Sequence, residues 1–324
     1  MLRRSCLIGI GHSLPNRVVE NREFENWIET SDEWIEARSG IKRRHFAGPD
    51  QKTSTLAIEA AEAAIKDARI HRYEIDAIIV ATSTPDTTFP AVATIVQGEL
   101  GIKSGFAYDV QAVCAGFVYA LANADALIVS KQADRVLVIG AETFSRIMNW
   151  KDRTTSVLFG DGAGAVILEA KACDETTSDQ GILATDLHSD GEYRDLLYVN
   201  GGVSATQTTG VLVMQGKEVF KHAVEKLSST AHTILSKAGL FPSDLDWMVP
   251  HQANLRIIKA TAQKLKLPMD KVIITVHEHG NTSAASIPLA LSVANSEKKF
   301  KKGDLILMEA IGGGLAWGSI LLRL

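Results

Sequence analysis

Cys114 is the residue of this chain best placed for chemistry. It follows the apolar run Phe106–Val110 by four residues and opens a stretch, 115–129, in which Phe117, Leu121, Ala124 and Ile128 recur at helical spacing. A thiol at a helix N-terminus feels the positive end of the helix dipole, so a lowered pKa and thiolate character are expected. Ala115 and Gly116 are small enough to let a carbonyl approach. Attack on that carbonyl would create an oxyanion. Gly312-Gly313-Gly314, between two apolar runs, could bring a backbone N–H beside that of Cys114 to hold it. The plainer readings are a Cys that is a small buried hydrophobe and a glycine run that is a hairpin turn.

Two further residues join Cys114 only through the elements that carry them. His251 ends the apolar run Trp247–Pro250, and the C-terminal ends of strands are where sites gather in open α/β sheets. Asn281 lies in His279-Gly280-Asn281-Thr282-Ser283, after an expected strand at 272–276 and before an expected helix near 284–294. Its plainer reading is a helix N-cap. Cys6 and Cys173 have no comparable placement and are expected to be structural.

The positioning elements are legible as short apolar runs at 78–80, 136–139, 165–168, 247–249, 272–274, 305–308 and 320–322. They do not alternate, which predicts strands buried on both faces, and Ala-rich helical stretches separate them. The class is therefore α/β. The order of helix, Asp, strand, helix, strand and Gly-rich turn occurs twice, with Ile75-Asp76 before one strand and Leu245-Asp246 before its counterpart. This predicts two similar halves, 1–172 and 173–324, related by a pseudo-twofold axis, with polar residues 174–180 as the link. The strand ends near 80, 110, 250 and 276 would then face one axis, and Cys114, His251 and Asn281 would converge. The Gly-, Ser- and Thr-rich stretch 190–210 reads as a long loop that covers the site.

Composition excludes several classes. The 324 residues carry 34 Lys and Arg against 38 Asp and Glu, a net charge of -4, which argues against a globally basic nucleic-acid binder. Three cysteines make no disulfide framework and point to a reducing, cytoplasmic location. No apolar run approaches the length of a membrane span. Phosphate-binding glycine loops and CxxC pairs are absent, and His277-Glu278-His279 lacks a third metal ligand. Lys298, Lys299, Lys301 and Lys302 read as a solvated turn.

Six motifs occur in order: ETSDEWIEARSGI at 29–41, VCAGF around Cys114, FGDGAGAV at 159–166, VPHQANLRII around His251, HGNTSAASIP around Asn281 and EAIGGGLAWGS at 309–319. Together they resemble the β-ketoacyl-[acyl-carrier-protein] synthase III family of bacterial type II fatty acid synthesis, over nearly the whole chain. The Cys-His-Asn set fits this family, whereas elongating ketosynthases carry Cys-His-His. A plain thiolase would have a second cysteine near the C-terminus, which this chain lacks. The resemblance implies a thiolase-like fold with five α-β-α-β-α layers, a homodimer, and no cofactor or metal, the CoA thioester being a substrate. It implies that Cys114 is acylated by an acyl-CoA primer such as acetyl-CoA. Malonyl-acyl carrier protein then binds, and His251 and Asn281 donate hydrogen bonds to its thioester oxygen as carbon dioxide leaves. The N–H groups of Cys114 and Gly313 would form the oxyanion hole.

Other positions carry over by motif. Trp34 and Arg38 resemble residues that sandwich the CoA adenine, with Arg153 and Thr30 completing that site. Phe220 and Asn254 match positions along the pantetheine tunnel. Phe89 resembles the residue that crosses the dimer interface to close the partner's acyl pocket. Lys221, Arg256 and Lys264 would meet an acidic carrier protein. Val113 and Ile311, the latter at the acyl pocket, replace commoner Ala and Phe, and the 200–210 loop finds no match, so primer length stays open. Two alternatives remain: a Cys-His-Asn enzyme of secondary metabolism, and a non-catalytic binding subunit of the same fold.

Overall fold

The computed structural model describes residues 2–174, 176 and 179–324. Its first sheet runs in the order β1 (Leu2–Ser13), β7 (Asp161–Cys173), β6 (Arg135–Thr143), β4 (Ala77–Ala81), β5 (Phe106–Val110). β4 is parallel to β5 and β6, while β7 is antiparallel to β6 and β1. The second sheet runs β11 (Trp247–Pro250), β12 (Leu305–Gly312), β13 (Ala316–Arg323), β8 (Gly181–Ser189), with β11 parallel to β12 and the other pairs antiparallel. Two small pairs complete the strands: β2 (Arg17–Glu20) with β3 (Arg43–Phe46), and β9 (Leu197–Val199) with β10 (Leu212–Met214). The change of sheet falls between β7 and β8. Part of the expected link there, Glu175, Thr177 and Ser178, lies outside the described residues.

Helices fill the spaces between and outside the sheets. Helices α3 (Thr53–Ala68) and α4 (Val92–Glu99) cover the outer face of the first sheet. Between the sheets lie α5 (Gly116–Val129) and α9 (Ser286–Ser296), and the outer face of the second sheet is covered by α6 (Gly216–Lys237) and α7 (Leu255–Lys264). Short helices α1 (Asn21–Phe24), α2 (Asp32–Ser39) and α8 (Val276–His279) border the rim. This is the five-layer α-β-α-β-α arrangement. The apolar runs of the central strands do not alternate because both faces of each sheet are covered: Ile78, Val80, Leu137 and Ile139 pack outward under α3 and α4, while Ile79, Val136, Val138 and Met308 pack inward. Each such side chain contributes about 1.5–3 kcal/mol by leaving water. The Ala-rich face of α3 lets it approach β1 so closely that a Cβ on Gly11 would sit 2.3 Å from the Ala64 amide nitrogen. Among the described residues no helix is long and apolar enough to cross a membrane.

One expected strand is corrected. Residues 272–276 pair with β11 only at Val272, by a single bridge to Met248, and the chain turns into α8 at Val276. The side chain of Gln252 takes the place of a strand partner. Its Nε2 donates to the carbonyls of Pro250 and Ile273, and its Oε1 accepts the N–H groups of Thr275 and Val276 at 2.8 and 3.1 Å. With those backbone groups satisfied by a buried amide, the segment needs no ladder. The stretch 190–210 is also more ordered than a plain loop: it contains a helical turn at Gly191–Leu196 and β9, and folds back onto β10. Lys298, Lys299, Lys301 and Lys302 are exposed between α9 and β12, as expected.

Candidate active site

Cys114 sits in a tight 3-10 turn, Val113–Ala115, between the end of β5 and α5. The turn is closed by Ala115 N–H donating to the Ala112 carbonyl at 3.0 Å. Gly312, the last residue of β12, packs directly on it: a Cβ there would lie 2.7 Å from both the Cys114 nitrogen and the Ala112 oxygen. The glycine run is therefore both the β12–β13 hairpin turn and a wall of the cysteine site. Gly313 itself faces the other way in part, since a Cβ on it would meet the Leu197 carbonyl of β9 at 2.5 Å.

The expected lowering of the Cys114 pKa is corrected. Burial pushes this thiol up, to about 12, against smaller opposing contributions from the Ser283 hydroxyl and its own N–H. A helix terminus supplies about 0.3–1 kcal/mol. Raising a thiol from 9 to about 12 corresponds to about 4 kcal/mol, so desolvation wins.

His251 continues β11, its N–H donating to the Glu309 carbonyl on β12 at 2.8 Å. Its Nδ1 lies 2.6 Å from Ser286 Oγ, which also accepts the Gln252 N–H at 3.2 Å. The Ser286 hydroxyl can donate to Nδ1, the arrangement that leaves the ring proton on Nε2. Burial depresses the imidazole pKa to about 3, so the ring is neutral and donates.

Asn281 is held by its backbone. Its N–H donates to the Leu158 carbonyl at 2.8 Å, and its own carbonyl accepts from Gly160 at 2.9 Å. It does not cap α9, whose N-cap is Ala285. Its Oδ1 instead accepts the Ser283 N–H at 2.9 Å, which fixes the amide and turns Nδ2 away as a donor. Residues 281–286 therefore tie the three candidates together. Asn281 begins the segment, Ser283 reaches Cys114, and Ser286 orients His251. Cys6 and Cys173 are remote on β1 and β7, with the Cys6 thiol donating to the Gln180 carbonyl at 3.3 Å.

At the rim, α2 presents Trp34 and Arg38 one turn apart. Ser31 caps the helix through the Trp34 N–H, and Gly40 ends it in the left-handed region at φ 76°. The Arg38 guanidinium lies 4.3 Å from the Trp34 ring and that of Arg153 lies 5.0 Å from it, so the three sequence-predicted residues form one stack. Arg153 also donates to the Glu29 carbonyl, and the adjacent Thr30 hydroxyl is buried with no partner among the described residues. Asn254 is the N-cap of α7, its Oδ1 accepting from Ile257 at 2.9 Å. Phe220 on α6 carries the Arg256 guanidinium at 5.4 Å from its ring. Exposed Lys221 belongs to the same α6–α7 surface, while Lys264 is at the far end of α7. Ile311 packs with Phe220, Leu227 and Leu315, away from the apolar cluster of Phe144, Met148, Phe159 and Leu212 that Val113 joins. Phe89 is 82% exposed and touches no core.

Sequence reasoning missed Ser286, Ser283, Gln252 and the buried carboxyl of Glu142 beside them; it also missed Glu309, buried on β12. Ser and Gln were quoted only inside motifs. Nothing in their type distinguishes them, and spacing from Asn281 and His251 was the only available signal.

Comparisons with known proteins identify the family. The model of the family described as 3-oxoacyl-[acyl-carrier-protein (ACP)] synthase III matches residues 108–191, and that of its C-terminal region matches 235–324. A β-ketoacyl-[acyl-carrier-protein] synthase III of Paracoccus denitrificans is 68% identical over 322 residues, covering 99% of this chain and 100% of the relative. The crystal structure of 3-oxoacyl-[acyl-carrier-protein] synthase III from Aquifex aeolicus superposes with a TM-score of 0.93 at 45% identity, over 99% of this chain and 100% of that one. A priming β-ketosynthase of a polyketide pathway reaches the same TM-score, 0.93, at 34% identity, over 100% and 97%. The α-β-α-β-α fold is thus the fold of these enzymes, and the chain belongs to the β-ketoacyl-[acyl-carrier-protein] synthase III family of condensing acyltransferases.

Proposed function

We propose that this enzyme condenses an acyl-CoA primer, with acetyl-CoA the expected donor, with malonyl-acyl carrier protein through an acyl-Cys114 intermediate. The products are a 3-oxoacyl-acyl carrier protein, CoA and carbon dioxide. The observation that carries this reading is the 281–286 segment, which touches Cys114, supplies Asn281 and orients His251. In the first half-reaction the Cys114 sulfur attacks the primer thioester, and the N–H groups of Cys114 and Gly313 hold the oxyanion until CoA leaves. In the second, Nε2–H of His251 and Nδ2–H of Asn281 hold the malonyl thioester oxygen. The C–CO2 bond breaks, the enolate forms on that oxygen, and its carbon attacks the acyl-Cys114 carbonyl. Two neutral donors suit this step because neither gives up its proton to the enolate, and a His held at about pKa 3 remains neutral at any physiological pH.

Trp34, Arg38, Arg153 and Thr30 are assigned to the adenine end of CoA, and Phe220 and Asn254 to the pantetheine path. Lys221, Arg256 and Lys264 are assigned to the carrier protein. The apolar cluster that Val113 joins is assigned as the wall for an acyl group on Cys114. A homodimer is supported by the free edge of β5, which carries exposed Phe106 stacked on Tyr108, and by the bare ring of Phe89. The test is intact-protein mass spectrometry after incubation with a panel of acyl-CoAs. One acyl mass gain in wild type, absent in Cys114→Ala, is expected and names the primer. A gain that persists in the variant, or no gain with any acyl-CoA, overturns the reading.

A further inference from the structure

The mechanism above leaves one proton unassigned: that of the Cys114 thiol. A thiol held near 12 gives almost no thiolate at neutral pH, so the proton must leave as the sulfur attacks. His251 is a poor acceptor because burial keeps its pKa near 3 and Nδ1 is engaged by Ser286. The site holds another group that the reaction does not use. Glu142, near the C-terminal end of β6, is fully buried. Its Oε2 accepts from Thr84 Oγ1 at 2.6 Å, Ser83 N at 3.1 Å and Thr82 Oγ1 at 3.3 Å, all just past β4, while Oε1 has no partner among the described residues.

Ser283 stands between them. Its turn packs against both the Cys114 turn and β6. Its backbone is held at φ 49°, a left-handed value uncommon for a residue with a side chain, and its N–H is tied to Asn281 Oδ1. The hydroxyl is fully buried and borders both the Cys114 thiol and the Glu142 carboxyl, yet it makes no hydrogen bond of ordinary geometry with any described residue. A buried hydroxyl lying between a thiol and a carboxyl stands where a proton can pass from one to the other. We propose that Ser283 and Glu142 form a proton relay behind Cys114, in which the Ser283 hydroxyl takes the thiol proton and hands its own to the Glu142 carboxylate. The proposal rests on the acyl-Cys114 reading. As the S–C bond to the primer forms, the S–H bond breaks, the proton moves to Ser283 Oγ and the serine proton moves to Glu142. When the tetrahedral adduct collapses, the C–S bond to CoA breaks. The proton returns through the same hydroxyl to the departing sulfur, so CoA leaves as a thiol and Glu142 is again a carboxylate.

The surroundings keep Glu142 able to do this. Thr82, Ser83 and Thr84 face it from the segment just past β4, Gly162 lies opposite it on β7, and Ser283 faces it from the turn; Cys114 is the titratable side chain that feels its charge. Burial raises the carboxyl to about 7, so a base is present at neutral pH that a more exposed carboxylate could not equal in strength.

The test is rapid-quench mass spectrometry of acetyl-enzyme formation from pH 5.5 to 9, with wild type, Glu142→Gln, Glu142→Asp and Ser283→Ala. The wild-type rate is expected to rise through an apparent pKa near 7. Glu142→Gln should lose that rise and slow acylation by about 100-fold, the scale of a lost general base. Ser283→Ala should slow it comparably, and Glu142→Asp should keep the pH dependence with a smaller loss. Decarboxylation of malonyl-acyl carrier protein moves no thiol proton and should be unchanged. A wild-type rate and pH profile in Glu142→Gln, or a parallel fall in decarboxylation, overturns the relay. If Glu142→Gln does not fold, Ser283→Ala, which removes one oxygen, decides. If wild type takes no acyl group, the acyl-Cys114 reading fails first. Alkylation of Cys114 by iodoacetamide then reads the relay alone: loss of its rise near pH 7 in Glu142→Gln sustains the relay, and retention refutes it.

Discussion

Ser286 Oγ lies 2.6 Å from Nδ1 of His251 and accepts the Gln252 N–H on its other side. That pair of contacts places a hydroxyl able to donate to Nδ1. With Ser286 donating to Nδ1, the Nε2–H is the ring's donor, and burial keeps the ring from taking a second proton. The group positioned to set the tautomer of His251 is thus a hydroxyl at the start of α9, five residues beyond Asn281.

Ser286→Ala removes that control. Decarboxylation of malonyl-acyl carrier protein should slow by about 10- to 100-fold, the range expected for about 1.4–2.7 kcal/mol of lost donor orientation. Cys114 acylation should change much less. Stopped-flow or carbon dioxide release with purified carrier protein measures the first, and mass spectrometry the second. Equal rates for the variant and wild type in decarboxylation would show that Ser286 does not set the tautomer.

Gly312→Ala places a methyl 2.7 Å from the Ala112 oxygen and the Cys114 nitrogen, both backbone atoms. Neither can yield without moving the cysteine turn. The variant should lose about 1–3 kcal/mol of stability and nearly all acylation, because the oxyanion donors move with the turn. Thermal denaturation and acyl-enzyme formation together check this, and a variant that acylates at the wild-type rate contradicts the packing argument.

Trp34→Ala takes away the ring that both Arg38 and Arg153 cover. CoA affinity should fall about tenfold, consistent with one or two cation–π or stacking contacts of about 0.5–2 kcal/mol, while kcat at saturating primer and the melting temperature stay close to wild type. Isothermal titration with CoA is the direct measurement. An unchanged Kd would move the adenine elsewhere.

Glu309 supplies a pH prediction. It is fully buried on β12, neither carboxyl oxygen has a partner among the described residues, and burial raises its pKa to about 8. The folded protein therefore prefers the protonated acid. Stability from this group is complete below the ordinary carboxylate pKa of about 4.3 and is lost as pH rises through about 8, by an amount of order 5 kcal/mol at most. Glu309→Gln cannot ionise and should flatten the fall in melting temperature between pH 5 and 9, leaving the smaller slope from Glu142, which is also raised. A wild-type slope in Glu309→Gln would mean that Glu309 is ionised at little cost.

The sequence alone determined the class of fold and the three residue types on which the proposed chemistry rests. Non-alternating apolar runs predicted sheets covered on both faces, since a strand buried twice has no reason to alternate, and the doubled pattern predicted two halves. Cys114, His251 and Asn281 stood out because a thiol after a strand, a histidine at a strand end and an asparagine before a helix are placements that a backbone pattern reveals. The strand expected at 272–276 failed for a reason no pattern carries: Gln252, distant in sequence, satisfies that backbone with its side-chain amide. The thiol's acidity reversed because the dipole is a local property readable from helix position, whereas desolvation depends on everything packed around Cys114. Ser283, Ser286, Glu142 and Glu309 are ordinary residues in a sequence. Tertiary packing alone removes water from them, and in a dry interior a hydroxyl fixes a tautomer and a carboxyl becomes a base near neutral pH.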